Sequence, residues 1–199
     1  MQYLKGLNLK QSAEQGFTLI ELIIAMAVLA IAVAIAGPGF GAMLQDNQQT
    51  GYINTTLSNL SFARSHAVKD GDIISVCGSS DQASCNQANF SSGWLIFADN
   101  DGDGTVDAGD NILRVVEAPQ GSATMRVTGF GGATTVQFSD RGELIANAQG
   151  TFILCPRDND ATEARAFVLN VSGMGRLAVD EGNNTAVVND HGGADVTCP

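Results

Sequence analysis

The sequence predicts an α+β protein in which a long N-terminal hydrophobic α-helix packs on a C-terminal antiparallel β-sheet domain. An almost unbroken apolar run extends from Phe17 to Ala36. Apolar residues then recur at helical spacing as far as Lys69. From Asp72 onward the pattern changes to short runs rich in β-branched and aromatic residues, separated by Gly, Asn, Asp and Ser. These three observations define the two parts of the fold.

The apolar run is long enough to cross a bilayer as a helix. At about 1.5 Å per residue, roughly 20 residues reach about 30 Å, the thickness of the hydrocarbon core. The run carries one charge, Glu21. A carboxylate in such a segment costs about 2.5 to 3.5 kcal/mol, so it needs a partner. Cleavage between Gly16 and Phe17 would create an α-amine one helical turn away, in the same chain or a neighbour, that neutralises Glu21.

These residues resemble the cleavage motif of the type IV pilin superfamily. The match consists of Gly16, Phe17, Thr18-Leu19 and Glu21 at the family's spacing, and Pro38 stands where many pilins have a proline. In that superfamily a prepilin peptidase removes a short hydrophilic leader and methylates the new amine. The helices of many subunits then bundle into a filament core.

The resemblance implies a division of the chain and a set of partners. It gives a leader over residues 1–16, N-methylphenylalanine at Phe17 and an assembly role for Glu21 and Pro38. The helix over residues 17–36 would span the bacterial inner membrane once, with the globular part in the periplasm, and later join a filament core. The implied partners are the membrane, the prepilin peptidase, an inner-membrane assembly platform and other pilin or pseudopilin subunits.

Two other interpretations of the N-terminus stay open. An ordinary secretory signal would be cut after Ala34-Ile35-Ala36, although its apolar region is usually about 7 to 15 residues long and has no internal Glu. A plain single-span anchor would stay uncut. A mature chain that begins at Phe17, Gly37 or Met1 distinguishes the three possibilities.

Residues 37–70 are predicted to form an amphipathic half-helix. Gly37-Pro38-Gly39-Phe40-Gly41 gathers weak helix formers, so the helix should kink or open locally there. Asp70-Gly71 should end it, because glycine supplies the left-handed stop. Polar residues separate the apolar positions, among them Gln48, Gln49, Asn54 and Ser58. The predicted apolar face comprises Leu44, Ile53, Leu57, Leu60 and Ala67.

Residues 71–199 are predicted to form the β-rich domain, which packs on the amphipathic half-helix. The order of its motifs is similar to the GspH/FimT group of minor pilins and pseudopilins: a helix ending in 62–69, a Val-Cys strand, Gly93-Trp94-Leu95-Ile96-Phe97 before an Asp-rich turn, and a late Leu-Cys-Pro strand. The candidate strands are Ile73 to Cys77, Trp94 to Ala98, Ile112 to Glu117, Met125 to Thr128, Thr135 to Phe138, Thr151 to Cys155, Ala166 to Val171 and Arg176 to Val179.

Charge and cysteine content narrow the function further. Ten Lys and Arg stand against 21 Asp and Glu, a formal net charge of −11, which repels nucleic acid and anionic lipid. Four cysteines in an exported domain suggest disulfides, with three possible connectivities. We favour Cys77 with Cys85, which pins a short loop, and Cys155 with Cys198, which ties down the C-terminus.

An Asp-rich segment matches a calcium-loop template. Calcium takes six to eight oxygen ligands, and the template places carboxylates at alternate positions, a Gly at the sharp turn and a backbone carbonyl at the seventh position. A plain Asp-Gly turn joining two strands is the competing interpretation. The twelfth residue is Asp110, whose side chain is shorter than the usual Glu. The candidate ligands are Asp99, Asp101, Asp103, the Thr105 carbonyl, Asp107 and Asp110.

Little in the sequence indicates catalysis or DNA binding. His66 and His191 are the only histidines, and neither lies near a nucleophile pattern. Gly129-Phe130-Gly131-Gly132 lacks the Lys-Ser/Thr of a phosphate loop, so we expect a flexible loop. Some FimT-like pilins bind DNA through a C-terminal Gly-Arg-x-Arg motif; here Gly175-Arg176-Leu177-Ala178 has only the first Arg, which disfavours a DNA-uptake role. The sequence predicts a non-enzymatic minor pilin or pseudopilin, with DNA uptake and a simply anchored calcium-binding domain as alternatives.

Overall fold

The structure, a computed structural model, describes residues 16–86, 89–180 and 187–198, without the side chains of residues 36–39 and 42. The chain divides into two compact units, Met1–Met43 and Leu44–Pro199. Of the predicted leader only Gly16 is among the described residues. A single helix, α1, runs from Leu19 to Asp70 and contributes to both units.

The part of α1 in the first unit has apolar side chains on all its sides. Helical assignment continues through positions 37–41, so the local opening predicted there is not present in this structure. Proline removes only one backbone N–H donor from the helix, because the residues of the turns on either side keep their own N–H groups. Among the described residues, no helix combines the length and the apolar composition of a membrane span.

The part of α1 in the second unit buries one face. Ile53, Leu60, Ala63 and Ala67 are at most 2% exposed, and the spacing of these residues is that of one helical stripe. Two predictions for this stretch were wrong: Leu44, expected on the apolar face, is half exposed, and Gln49, expected on the polar face, is buried. The helix ends where predicted, with Gly71 in the left-handed region at φ 77°.

Within the described residues, eight strands form two antiparallel sheets. The first sheet has the order β3-β2-β1-β5 and the second β4-β6-β7-β8. The sequence predicted the strands individually but not their division between two sheets. The strands are β1 Ile74–Gly78, β2 Gly93–Ala98, β3 Asn111–Glu117, β4 Thr124–Gly129, β5 Val136–Phe138, β6 Gly150–Cys155, β7 Arg165–Leu169 and β8 Gly175–Leu177.

The main core lies between α1 and the two sheets. Aromatic side chains fill it, including Trp94, Phe90 and a stacked pair, Phe152 and Phe167, with ring centroids 4.8 Å apart. The predicted α+β class, a helix packed on antiparallel strands, is confirmed.

Each disulfide belongs to a smaller cluster outside the main core. Cys77 pairs with Cys85, beside Leu95 and Phe97. Cys155 pairs with Cys198, so the C-terminal segment lies against β6 and β7. This is the connectivity favoured from the sequence.

Candidate functional site

The predicted cleavage motif lies at the start of α1. The hydroxyl of Thr18 accepts a hydrogen bond from the backbone N–H of Glu21 at 3.3 Å, the arrangement of a helix N-cap. Glu21 lies in the first turn, where the positive end of the helix dipole favours a carboxylate. Phe17, the residue whose amine cleavage would release, is 86% exposed.

The large apolar side chains from Phe17 to Ile35 are exposed in the single chain. Each is more than half exposed, on every side of the helix, so an isolated chain leaves a large apolar surface in water. A helix that is apolar all round is normally buried in lipid or among other helices. The exposed side chains are Phe17, Leu19, Ile20, Leu22, Ile23, Ile24, Met26, Val28, Leu29, Ile31, Val33 and Ile35.

The Asp-rich segment connects β2 to β3, on the outer face of the first sheet. Its first carboxylate, Asp99, is 1% exposed and accepts hydrogen bonds from the backbone N–H groups of Gly102 at 2.8 Å and Gly104 at 3.0 Å. The hydroxyl of Ser75 and the amide of Gln137 also donate to it. Asp99 is therefore fixed by the loop and by two strands of the sheet.

Three of the predicted ligands converge. Carboxylate oxygens of Asp99, Asp101 and Asp103 lie within 4.8 Å of one another. Two oxygens on opposite sides of a calcium ion, each about 2.4 Å away, are separated by about this distance. The geometry and the hard oxygen donors therefore fit a divalent cation.

The charges of the loop act on one another. The backbone N–H of Asp103 lowers the pKa of Asp101, but desolvation and repulsion by Asp103, Asp107 and Asp110 outweigh it, and the net shift is upward. Hydrogen bonds from the hydroxyl and backbone N–H of Thr105 lower the pKa of Asp103. The neighbouring carboxylates therefore disfavour the ionisation of Asp101, and a bound cation would relieve that repulsion.

The Thr105 carbonyl, Asp107 and Asp110 stay predicted ligands, and the structure shows other contacts of these residues. Asp107 and Asp110 lie outside the three-carboxylate cluster. The carboxylate of Asp110 accepts from the backbone N–H groups of Asn100 at 3.0 Å and Asp107 at 3.1 Å, so it closes the loop. The side chain of Thr105 donates to Asp103.

The sequence did not predict the two residues that support Asp99 from the sheet. Ser75 in β1 and Gln137 in β5 are directly paired across the two strands, so they share one face beneath the loop. Gln137 also donates to the carbonyl of Gly102 at 3.1 Å. Neither residue belongs to the twelve-residue template, so no local signal could have found them.

Residues considered for other chemistry are placed separately. Arg176 is exposed in β8. His66 pairs with Asp70 at 2.8 Å at the end of α1, whereas His191 contacts the buried hydroxyl of Thr151 at 3.0 Å. The structure does not bring these three residues into one site.

The N-terminal sequence motif, an exposed apolar helix and a helix-on-sheet domain together define a type IV pilin-like subunit. The prokaryotic N-terminal methylation motif matches residues 11–37. The family described as type II transport protein GspH matches residues 53–175, and the chain belongs to this family.

Comparison with one solved structure gives the same fold. The type IV minor pilin FimU of Pseudomonas aeruginosa is 20% identical, with a TM-score of 0.53 over 67% of this chain and 90% of that chain. The minor pseudopilin EpsH of the type 2 secretion system of Vibrio cholerae is 11% identical, with a TM-score of 0.48 over 67% of this chain and 98% of that chain. No curated protein matches the sequence.

Proposed function

We propose that this chain is a non-enzymatic minor subunit of a type IV pilus or type II secretion pseudopilus. A prepilin peptidase cuts after Gly16, and the mature chain enters the filament through its N-terminal helix. The observation that carries the proposal is the exposed apolar surface from Phe17 to Ile35, which lies within the N-terminal methylation motif matched at residues 11–37. Helices of neighbouring subunits would cover that surface.

Before assembly, the same helix would reside in the inner membrane with the globular unit in the periplasm. This part of the proposal rests on the apolar sequence of residues 17–36. The assembly platform would then transfer the helix from lipid to the filament core. The hydrocarbon core of the membrane and the interior of a helix bundle are both apolar. The helix would therefore stay in an apolar environment throughout the transfer.

Glu21 would fix the position of one subunit relative to the next. Its side chain is exposed in the single chain, within one turn of the residue that cleavage makes N-terminal. In a filament core, the carboxylate is unfavourable unless the Phe17 amine of a neighbouring subunit pairs with it. The pair would therefore form only at the correct axial position.

Three substitutions at Glu21 test this proposal. Removing one partner of a buried ion pair costs about 3 to 5 kcal/mol, so Glu21→Ala and Glu21→Gln should lower incorporation into filaments by more than about ten-fold. Glu21→Asp keeps the charge and should retain more incorporation. The measurement is the ratio of filament-bound to total processed chain. Wild-type incorporation of Glu21→Gln would contradict the proposal.

We also propose that Asp99, Asp101 and Asp103 bind calcium and stabilise the β2–β3 loop. The support is their mutual distance of at most 4.8 Å together with the upward pKa shift of Asp101. Binding to the folded state alone would raise its stability by about 2.7 kcal/mol at a calcium concentration 100 times the dissociation constant.

Asp101→Asn gives a cleaner test of calcium binding than a substitution at Asp99. Asp101 is exposed, whereas Asp99 also holds the loop through hydrogen bonds. Calcium should raise the thermal midpoint of the wild type and of Asp140→Asn, an exposed aspartate outside the loop, but not of Asp101→Asn. Equal midpoints with calcium and with chelator in the wild type would exclude the site.

A further inference from the structure

A groove of about 460 Å³ lies between the last turns of α1 and strand β3. Four of its lining residues follow one another on α1 at the spacing of a single helical stripe, and β3 forms the opposite wall. We call it the α1–β3 groove, and its lining residues are Phe62, Ser65, His66, Lys69 and Leu113.

A β-bulge in β3 builds the wall of the groove. The pairing of β2 with β3 shifts between Ile96 and Phe97, which leaves Leu113 as the extra residue of the bulge. In a regular strand, successive side chains point to opposite faces of the sheet. Here Leu113 lines the groove and the next residue, Arg114, stacks on Phe62 of α1. The bulge therefore turns two consecutive side chains towards the helix.

Two permanent positive charges flank the groove. The guanidinium carbon of Arg114 lies 3.5 Å from the centroid of the Phe62 ring, and the same group donates to the side-chain oxygen of Asn59 at 2.9 Å. The side chain of Lys69 is 79% exposed at the rim. In a chain with ten Lys and Arg against 21 Asp and Glu, this concentration of positive charge is a local exception.

One carboxylate shares this surface. Asp70 lies 3.0 Å from the ammonium of Lys69 and 2.8 Å from Nδ1 of His66. An ammonium has three donors, so Lys69 can hold Asp70 and a second carboxylate at the same time. Arg114 and Lys69 together outnumber Asp70, and the groove therefore keeps a positive charge even when His66 is neutral.

The floor of the groove is apolar. Phe62 and Leu113 are partly buried and pack against the main core. Apolar walls reduce the local screening of charge, so they strengthen the attraction between the rim and an anionic ligand. A ligand that joins an apolar group to a carboxylate therefore covers the floor and meets the charges at the rim.

We infer that the α1–β3 groove binds an acidic peptide segment of another protein, with an apolar side chain on the floor and a neighbouring Asp or Glu at the rim. Inorganic phosphate is a poorer fit, because it cannot cover Phe62 and Leu113. A nucleic acid is also a poorer fit, because binding a long polyanion takes several cations and the net charge of −11 repels it. This interaction goes beyond assembly through the N-terminal helix.

Titration of the full-length chain in detergent micelles with two short peptides tests this inference. The probe is a tetrapeptide, blocked at both ends, that contains one Phe and one Glu, and its control has Gln in place of the Glu. The wild type should bind the Glu peptide about five-fold more tightly than the Gln peptide, the effect of one charge pair of about 1 kcal/mol. Amide chemical-shift changes should centre on Ser65, Lys69 and Leu113, and changes centred elsewhere would overturn the inference.

Lys69→Gln provides the matched test on the protein. It should lower the affinity for the Glu peptide about five-fold, leave that for the Gln peptide unchanged and keep the thermal midpoint of the wild type. Arg157→Gln, which removes an exposed charge outside the groove, should bind both peptides like the wild type.

Three results would overturn the inference. The first is equal affinity of the wild type for the two peptides, and the second is wild-type affinity of Lys69→Gln for the Glu peptide. The third is displacement of the Glu peptide by an equal concentration of inorganic phosphate or of a single-stranded oligonucleotide, which would assign the groove to a phosphate ligand. Each of these results leaves the proposed function standing, because none depends on cleavage after Gly16 or on filament incorporation.

Discussion

Single carboxylates in this protein act chiefly through hydrogen bonds to the backbone. Asp99 accepts two backbone N–H groups within the Asp-rich loop, and Asp110 accepts two more. Asp81 does the same inside the Cys77–Cys85 loop. An exposed aspartate that accepts several donors stabilises a turn only while it is ionised.

Asp81 provides a test of this view. Its carboxylate accepts hydrogen bonds from the hydroxyl and backbone N–H of Ser84, the backbone N–H of Ala83 and the hydroxyl of Ser79, and these lower its pKa. A lowered folded-state pKa gives stability that is present above the unfolded value of about 3.9 and is lost as the pH falls through the folded value.

Asp81→Asn should therefore be less stable than the wild type at pH 7, and the difference should shrink as the pH falls below about 4. Denaturant unfolding of the second unit at several pH values measures this. Asp140→Asn is the control, because Asp140 is exposed and lies outside the Cys77–Cys85 loop. If the difference in the free energy of unfolding between Asp81→Asn and the wild type stayed constant with pH, the stabilising role of the ionised Asp81 carboxylate would be contradicted.

At the scale of elements, the Gly-rich segment after β4 is a fixed support of the core. The sequence suggested a flexible loop at 129–132, which was wrong: Phe130 is 1% exposed and packs edge-to-face against Phe152, with centroids 5.7 Å apart. Gly150 lies directly beneath this ring. A Cβ added at Gly150 would lie 2.3 Å from two ring carbons.

Gly150→Ala should accordingly destabilise the domain by about 1 to 3 kcal/mol or more, since the ring cannot move without displacing the core. Gly51→Ala is the matched control on α1, where an added Cβ meets nothing within 4 Å. It should stabilise by about 0.4 to 1 kcal/mol. Thermal or denaturant unfolding compares the two. If both variants changed the free energy of unfolding equally, alanine at position 150 would not clash with the Phe130 ring.

The sequence predicted those elements that depend on residues close together in the chain. The end of α1 at Asp70 and the eight strands were predictable, because apolar periodicity and turn residues are local. Leu44 was misplaced because periodicity does not reveal where the partner sheet stops. The assignment of strands to two sheets, and the support of Asp99 by Ser75 and Gln137, depend on pairing between distant segments.

At the scale of the whole molecule, the chain consists of two parts that differ in whether they bury their own apolar side chains. The second unit has its own aromatic core and two disulfides, one of which holds the C-terminal segment 187–198 against β6. The helix of the first unit exposes apolar side chains that its own chain does not cover. Membership of the GspH family accounts for this combination, because a subunit of an assembly obtains that cover from other molecules.

The central claim is that processing converts the N-terminal segment into an assembly element. The mass of the N-terminal peptide of the filament-associated chain tests it most directly. Our account predicts a mature chain that begins with methylated Phe17. A chain that begins at Gly37 or retains Met1 would contradict it.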